Sequence, residues 1–274
     1  MSELAPQNAI RLIDSHAHLD MSRFDADRDE VIQQAAQSGV TRVINAGIDL
    51  TSSQKSIEMA QRYPAILAAV GVHPQECTHI TEKDITALSH LARRPQVVAI
   101  GEIGLDFYRE YAPHEHQIKV LQWQVALADE MQLPVIIHCR QAEKEIIDIL
   151  SDWRTRQSSS SRLPGVIHCF NGSFKLAENY LKLGFYISVG AYIGYPSSRA
   201  FREVVKYLPM DRLLIETDCP FLPPQSHRGQ RNEPIYVLEI AQELAEINRL
   251  SLEAVASHTL GNAKRLFVIH DLTE

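Results

Sequence analysis

The feature that most constrains this chain is an end-to-end alternation of short β-branched runs with longer amphipathic stretches. IRLID at 10–14 gives way to a helical pattern at 27–38, and TRVINAG at 41–47 to one starting at Thr51. ILAAVGVH at 66–73 precedes a helix opening near Thr81, and VVAIGEIGL at 97–105 precedes one at 114–131. VIIHC leads to AEKEIIDILSDW, GVIHCF to a helix from Ser173, and FYISVG at 185–190 to a shorter helix near 197–207. LLIETD at 213–218 leads, after a long loop, to a helix at 234–247. Apolar residues spaced by three and four, such as Val120, Trp123, Leu127 and Met131, mark the helices.

Strands that alternate with helices are parallel, and eight such units predict closure into a single (β/α)8 barrel of the TIM type. An open doubly wound sheet is the competing architecture. At 274 residues the chain suits one large domain, 1–274, with a flexible N-terminus over about 1–9. QSSSSR at 157–162 reads as a solvated loop, and the Pro- and Gly-rich CPFLPPQSHRGQRNEP as a loop over the C-terminal rim. The tail SLEAVASHTLGNAKRLF reads as two short extra helices packed on the outside of the barrel.

Six imidazoles and carboxylates decide between the two architectures. His16 and His18 (IDSHAHLD), Glu102 (GEIGLDFY), His138 (VIIHCR), His168 (VIHCF) and Asp218 (LIETDCP) each end an apolar run. A closed barrel gathers those strand ends on one rim; an open sheet separates them. His16 and His18 share a face by the period of two, and Glu216 shares one with Asp218. Four imidazoles and two carboxylates exceed what one tetrahedral metal with an open position takes. They suit two divalent cations: one held by His16, His18 and Asp218, the other by His138 and His168, with Glu102 as bridge. Such a pair acidifies a shared water, and Asp218 beside it is the natural proton acceptor. Imidazole-rich ligation favours zinc, manganese, cobalt or nickel over magnesium.

Bulk properties narrow the class further. A net charge of −7 argues against a protein that coats nucleic acid electrostatically, though bound cations would supply local positive charge. The start MSELAPQNAIRLID lacks a basic segment followed by an apolar one, and no apolar run reaches the length of about 18 residues needed to span a bilayer. A cytoplasmic protein without a membrane partner is expected, and nothing in the outer helices demands an oligomer. Cys77, Cys139, Cys169 and Cys219 form no disulfide framework or CxxC pair. Three of them follow proposed ligands, so alternation should turn their thiols toward the helices.

The motifs HAHLD, GVHP (71–74), GEIGLDFYR (101–109), HCR (138–140), HCFNGS (168–173), ETDCP (216–220) and RNEP (231–234) together resemble the TatD family of metal-dependent hydrolases and deoxyribonucleases. The resemblance runs from residue 14 to about 265, in the family's order. It implies a TIM-type barrel of the amidohydrolase superfamily, with His16, His18, Glu102, His138, His168 and Asp218 corresponding to the divalent-metal ligands. It also implies hydrolysis of DNA phosphodiesters, often from the 3′ end of single strands, with magnesium as a further metal. HCRQA and HCFNGS depart from the more usual REA and SGS, which bears on substrate contacts and not on the ligands. Other superfamily branches place a carbamylated lysine at the end of the fourth strand, where this chain offers Glu102.

Around this set, His73 holds a phosphate oxygen or hydrogen-bonds a neighbouring loop, and Asp106 orients a ligand imidazole. Arg109, Arg140 and Arg231 lie on rim segments, where each either grips a phosphate or joins a surface ion pair. Tyr108, Phe107 and Phe170 are stacking candidates, of which at least two are expected in the core. Two other activities share the same residues: hydrolysis of an acyl ester, such as removal of an aminoacyl group from RNA, and binding of nucleic acid without cleavage.

Overall fold

Eight strands and nine α-helices alternate along residues 10–109, 111–156 and 162–270, which the computed structural model describes. The expected flexible N-terminus and all but Arg162 of the 157–162 loop lie outside the described residues. The strands are β1 (Leu12–Ala17), β2 (Val40–Ala46), β3 (Ile66–Val70), β4 (Val97–Asp106), β5 (Val135–Arg140), β6 (Gly165–Ile167), β7 (Tyr186–Val189) and β8 (Leu213–Ile215). The helices are α1 (Arg28–Gln37), α2 (Leu50–Arg62), α3 (Glu82–Ala92), α4 (His114–Met131), α5 (Glu143–Arg156), α6 (Phe174–Lys182), α7 (Arg199–Val205), α8 (Val237–Asn248) and α9 (Leu252–Phe267). All pairings are parallel, in the order β1 to β8. None of the described helices is long and apolar enough to cross a membrane.

The period of two splits the core in two. Val135 and Ile137 pack outward among the helices, while Ile136 between them packs inward. Every strand feeds the inner cluster, β2 twice: Ile13, Ile44, Ala46, Ala69, Ala99, Ile136, Val166, Tyr186 and Leu214. Helix α9 adds Ala263, Leu266 and Phe267 to that cluster. This corrects the expectation for the tail. It is one helix, not two, and it packs into the barrel interior as well as against its wall. A side chain at Gly261 would meet open space, so no close packing interrupts the helix there, and Asn262 works as an anchor. Its amide donates to the carbonyls of Met210 and Leu213, both at 2.8 Å, just where β8 begins.

Two register shifts position the site. Ile100 pairs with Val135 and Ile103 with Ile137, so β4 spends three residues where β5 spends two. That bulge lets Ile100 and Ile103 both face outward, leaving Glu102 to project into the barrel mouth. Likewise Asp14 lies opposite Val43 and Ala17 opposite Asn45. The extra residue allows Ser15 as well as His16 to stay inside, where Ser15 Oγ donates to Ile215 O at 3.0 Å. Gly104, at φ 151°, brings β4 against β5; a Cβ there would lie 1.9 Å from the carbonyl oxygen of His138.

The seam between β8 and β1 closes differently. A single bridge, Ala17 to Cys219, joins the two segments, with His18 N–H donating to Cys219 O and Asp218 N–H to His16 O. Below it the buried Asp14 carboxylate replaces a strand ladder, accepting from both the backbone N–H and the hydroxyl of Thr217. Burial outweighs these bonds and pushes the Asp14 carboxyl up to about 7.

Candidate metal centre

β6 and β8 end earlier than the apolar runs suggested, because Cys169 (φ 46°) and Asp218 (φ 56°) adopt left-handed backbone. A non-glycine residue in that region breaks the strand and re-aims its neighbours. His168 and Asp218 are thereby carried just past the strand ends and turned over the mouth. His16, His18, His138 and Glu102 arrive directly from β1, β5 and β4 or the residue after them.

All six expected donors meet, and Glu102, only 3% exposed, is their centre. Its Oε2 lies 3.3 Å from His16 Nε2 and 3.4 Å from His18 Nε2. Asp218 Oδ1 completes that group at 3.7 and 3.5 Å from the same two nitrogens. Oε1 faces the other way, 2.9 Å from His138 Nδ1 and 2.8 Å from His168 Nε2. Within the groups, His16 Nε2 and His18 Nε2 are 3.1 Å apart, and His138 Nδ1 and His168 Nε2 are 3.2 Å apart.

Donor atoms about 2.0–2.2 Å from one cation sit roughly 2.9–3.6 Å from each other in tetrahedral or octahedral geometry. Both groups lie within about 0.1 Å of that spacing, and facing imidazole nitrogens are otherwise a poor arrangement, since each pair can share only one proton. The residues therefore suit divalent-cation binding, with donor groups on both sides of the Glu102 carboxylate.

Charge distribution supports the same fit. Burial opposes the Glu102 charge, yet His168, His73 and His16 around it and a hydrogen bond from His138 hold it well below the usual carboxylate range. Burial also works against a charged His18 ring, but Asp218 and Glu102 outweigh it and lift His18 to about 10. His168 rises well above its ordinary value for the same reason, through Glu102 and Glu216. The carboxylates thus draw protons onto imidazoles that a cation would also need as donors. A metal must displace those protons, so its affinity should rise with pH and its binding should release protons. Calorimetric titration of manganese or zinc in buffers of different ionisation enthalpy measures that release; an enthalpy independent of the buffer would contradict it.

A ring of buried partners orients the imidazoles. His18 Nδ1 lies 2.9 Å from Ala46 O, and His168 Nδ1 lies 3.2 Å from Glu216 Oε1. Asp106 Oδ2 stands 3.6 Å from His138 Nε2 and accepts from Gln75 Nε2 at 2.6 Å. Glu216 carried no assigned role in the sequence, although its period-two relation to Asp218 was legible. Gln75 gave no signal. His73 joins the cluster rather than only a loop: Nε2 is 3.4 Å from Glu102 Oε1, while Nδ1 accepts from Gln75 N–H.

The cysteines divide. Cys139 packs with the outer core, as alternation requires, and Cys219 joins it from beyond the end of β8. Cys169 does not follow, because its left-handed backbone breaks the alternation. It lies among the charges of Asp218, Glu216 and Glu102; burial and those charges hold its thiol well above the ordinary value.

The rim arginines also separate. Arg231 is not offered to a phosphate: it forks onto Asp27 at 2.8 and 2.6 Å, pairs with Glu233 at 2.9 Å, and covers the Phe24 ring. Arg109 is exposed and donates to Tyr111 Oη at 3.3 Å. Arg140 lies over Tyr108. Phe170 is core, and Phe107 stacks on His114.

A sequence model described as TatD related DNase matches residues 13–268. The chain is 41% identical over 259 residues to the metal-dependent hydrolase YabD of Bacillus subtilis, covering 94% of this chain and all of that one. It is 35% identical over 262 residues to the 3′-5′ ssDNA/RNA exonuclease TatD of Erwinia tasmaniensis, with 93% and 99% covered. The crystal structure of YJJV, a TatD homologue from Escherichia coli, superposes with a TM-score of 0.89 at 32% identity, covering 96% of this chain and all of that one.

Proposed function

This chain belongs to the TatD-related DNase family of metal-dependent hydrolases acting on phosphodiester bonds, and from that premise we propose that it is a two-cation exonuclease. Its substrate is single-stranded DNA or RNA, degraded from the 3′ end. The observation that carries the two-cation reading is the Glu102 carboxylate, whose oxygens face two separate sets of donors. His16, His18 and Asp218 would hold one cation and His138 and His168 the other, with Glu102 shared between the two groups. Nitrogen-rich ligation favours zinc, manganese, cobalt or nickel. The names of the relatives favour phosphodiesters over acyl esters.

Divalent cations bound there would acidify water and neutralise phosphate charge. The remaining work belongs to the side chains. Asp218, held over the mouth by its N–H bond to His16 O, accepts the proton of the attacking water. Glu216 fixes the His168 ring, and the Asp106 carboxylate faces the His138 ring at 3.6 Å, which favours convergence of the donor atoms. Burial and the neighbouring His138 and His168 depress His73 even against the pull of Glu102, so it meets a phosphate oxygen as a neutral hydrogen-bond donor.

Manganese-loaded protein should shorten a 5′-labelled single-stranded oligonucleotide one nucleotide at a time, and EDTA should stop it. Metal-loaded protein that leaves both DNA and RNA oligonucleotides intact would refute the reading.

A further inference from the structure

The rim carries an aromatic–guanidinium pair that the metal chemistry does not use. Tyr108 is 55% exposed, although it follows the fully buried Asp106 by two residues. The Arg140 guanidinium carbon lies 3.9 Å from the centre of its ring, at van der Waals contact with the ring face. Among the described residues no carboxylate pairs with Arg140, in contrast to Arg231. Its donors are therefore available.

The backbone beneath the pair is held in place. Asp106 Oδ1 accepts from the N–H groups of Tyr108 at 3.0 Å and Arg109 at 2.9 Å. Phe107 N–H donates to Arg140 O at 2.9 Å, and the Phe107 ring stacks on His114 with centroids 3.7 Å apart. The other oxygen of Asp106 faces His138. One carboxylate thus ties the platform to the metal centre, and Arg140 itself stands two residues past His138 on the same strand.

We infer that the Tyr108–Arg140 pair seats the nucleotide next to the cleaved bond, its base stacking on the pair and its phosphate taking the Arg140 donors. An exposed aromatic surface backed by a cation without an acidic partner is what single-stranded nucleic acid uses, because any base can stack and the backbone is read by charge. A guanidinium does both, being planar and a multiple donor. Bases in a duplex are already stacked and paired, so the seat selects single strands. The inference rests on the phosphodiester reading for the cleaved bond, not for the binding.

The test pairs binding with turnover. Anisotropy of a fluorescein-labelled single-stranded dodecamer is measured in EDTA, and kcat and KM are measured with manganese on the dodecamer and on methyl p-nitrophenyl phosphate. Tyr108→Ala and Arg140→Ala should each weaken dodecamer binding by about tenfold. They should also lower the ratio of kcat/KM for dodecamer over small diester by about the same factor, mainly through KM. Tyr108→Phe should restore binding, and Arg140→Lys should recover only part of it. Undiminished dodecamer binding in both alanine variants overturns the seat. So does an equal loss on both substrates, which would mean that the pair only props up Asp106. Weakened binding in a protein that hydrolyses neither substrate upholds the seat and sinks the phosphodiester reading instead.

Discussion

Glu102→Ala is expected to lower phosphodiester turnover by about a thousandfold or more and to reduce bound metal from two ions per chain to one or none. A thousandfold corresponds to about 4 kcal/mol of barrier, within the range for loss of a charge-stabilising group in a water-poor site. The carboxylate touches both groups of imidazoles, so its removal strikes both at once. It also strips His18 and His168 of a charge that keeps them protonated, so both should titrate lower in the variant. Uncompensated buried imidazolium costs stability, by about 3–5 kcal/mol when one partner of a buried pair is deleted. Glu102→Gln therefore serves as the companion: it preserves shape and removes only the charge. Elemental analysis after dialysis, with turnover on a labelled oligonucleotide, reads both effects. Two tightly bound ions in Glu102→Ala would remove the bridge from the mechanism.

Asp218→Asn should cost about a hundred- to ten-thousandfold in kcat, the range for loss of a general base. Asparagine retains the N–H bond to His16 O and the volume, and burial of a neutral amide is milder than burial of the carboxylate. Asp218 contributes to one group of donors only, so metal content should fall less than in Glu102→Ala. Metal titration separates its two roles. If saturating manganese restores full kcat, Asp218 is a ligand alone; a deficit that persists at saturation identifies the lost base.

The strand–helix order and the convergence of the six donors were legible because both follow from local pattern plus one topological rule. Alternation gives parallel strands, parallel strands in eight units close, and their C-terminal ends then meet. The bulges in β1 and β4 were not legible. A bulge depends on the register of the neighbouring strand, and GEIGL reads locally like any strand. For Arg231 a phosphate contact and an ion pair stayed open, because its partner Asp27 is 204 residues away. The early end of the last strand escaped because ETD looks extended, whereas Asp218 is left-handed. Buried glutamines were a missed clue. Gln117 and Gln124 sit seven apart on the buried stripe of α4, where one braces Asp106 and the other bonds both the N–H and carbonyl of Val72. Polar residues on an apolar stripe mark places where a loop is being held.

The seam that Asp14 and Thr217 stitch also orders events in time. These residues are 203 apart in the chain, and the donors His16, His18 and Asp218 flank them on its two sides. During synthesis β1 emerges first, and its histidines wait for a partner that is translated only after seven strands have formed. A chain that stops before Thr217 lacks both the stitch and Asp218, so it can neither close the ring nor complete the first group of donors. Products that stop short of β8 should therefore show no metal-dependent nuclease activity, which would arise only once the last strand has been made and docked.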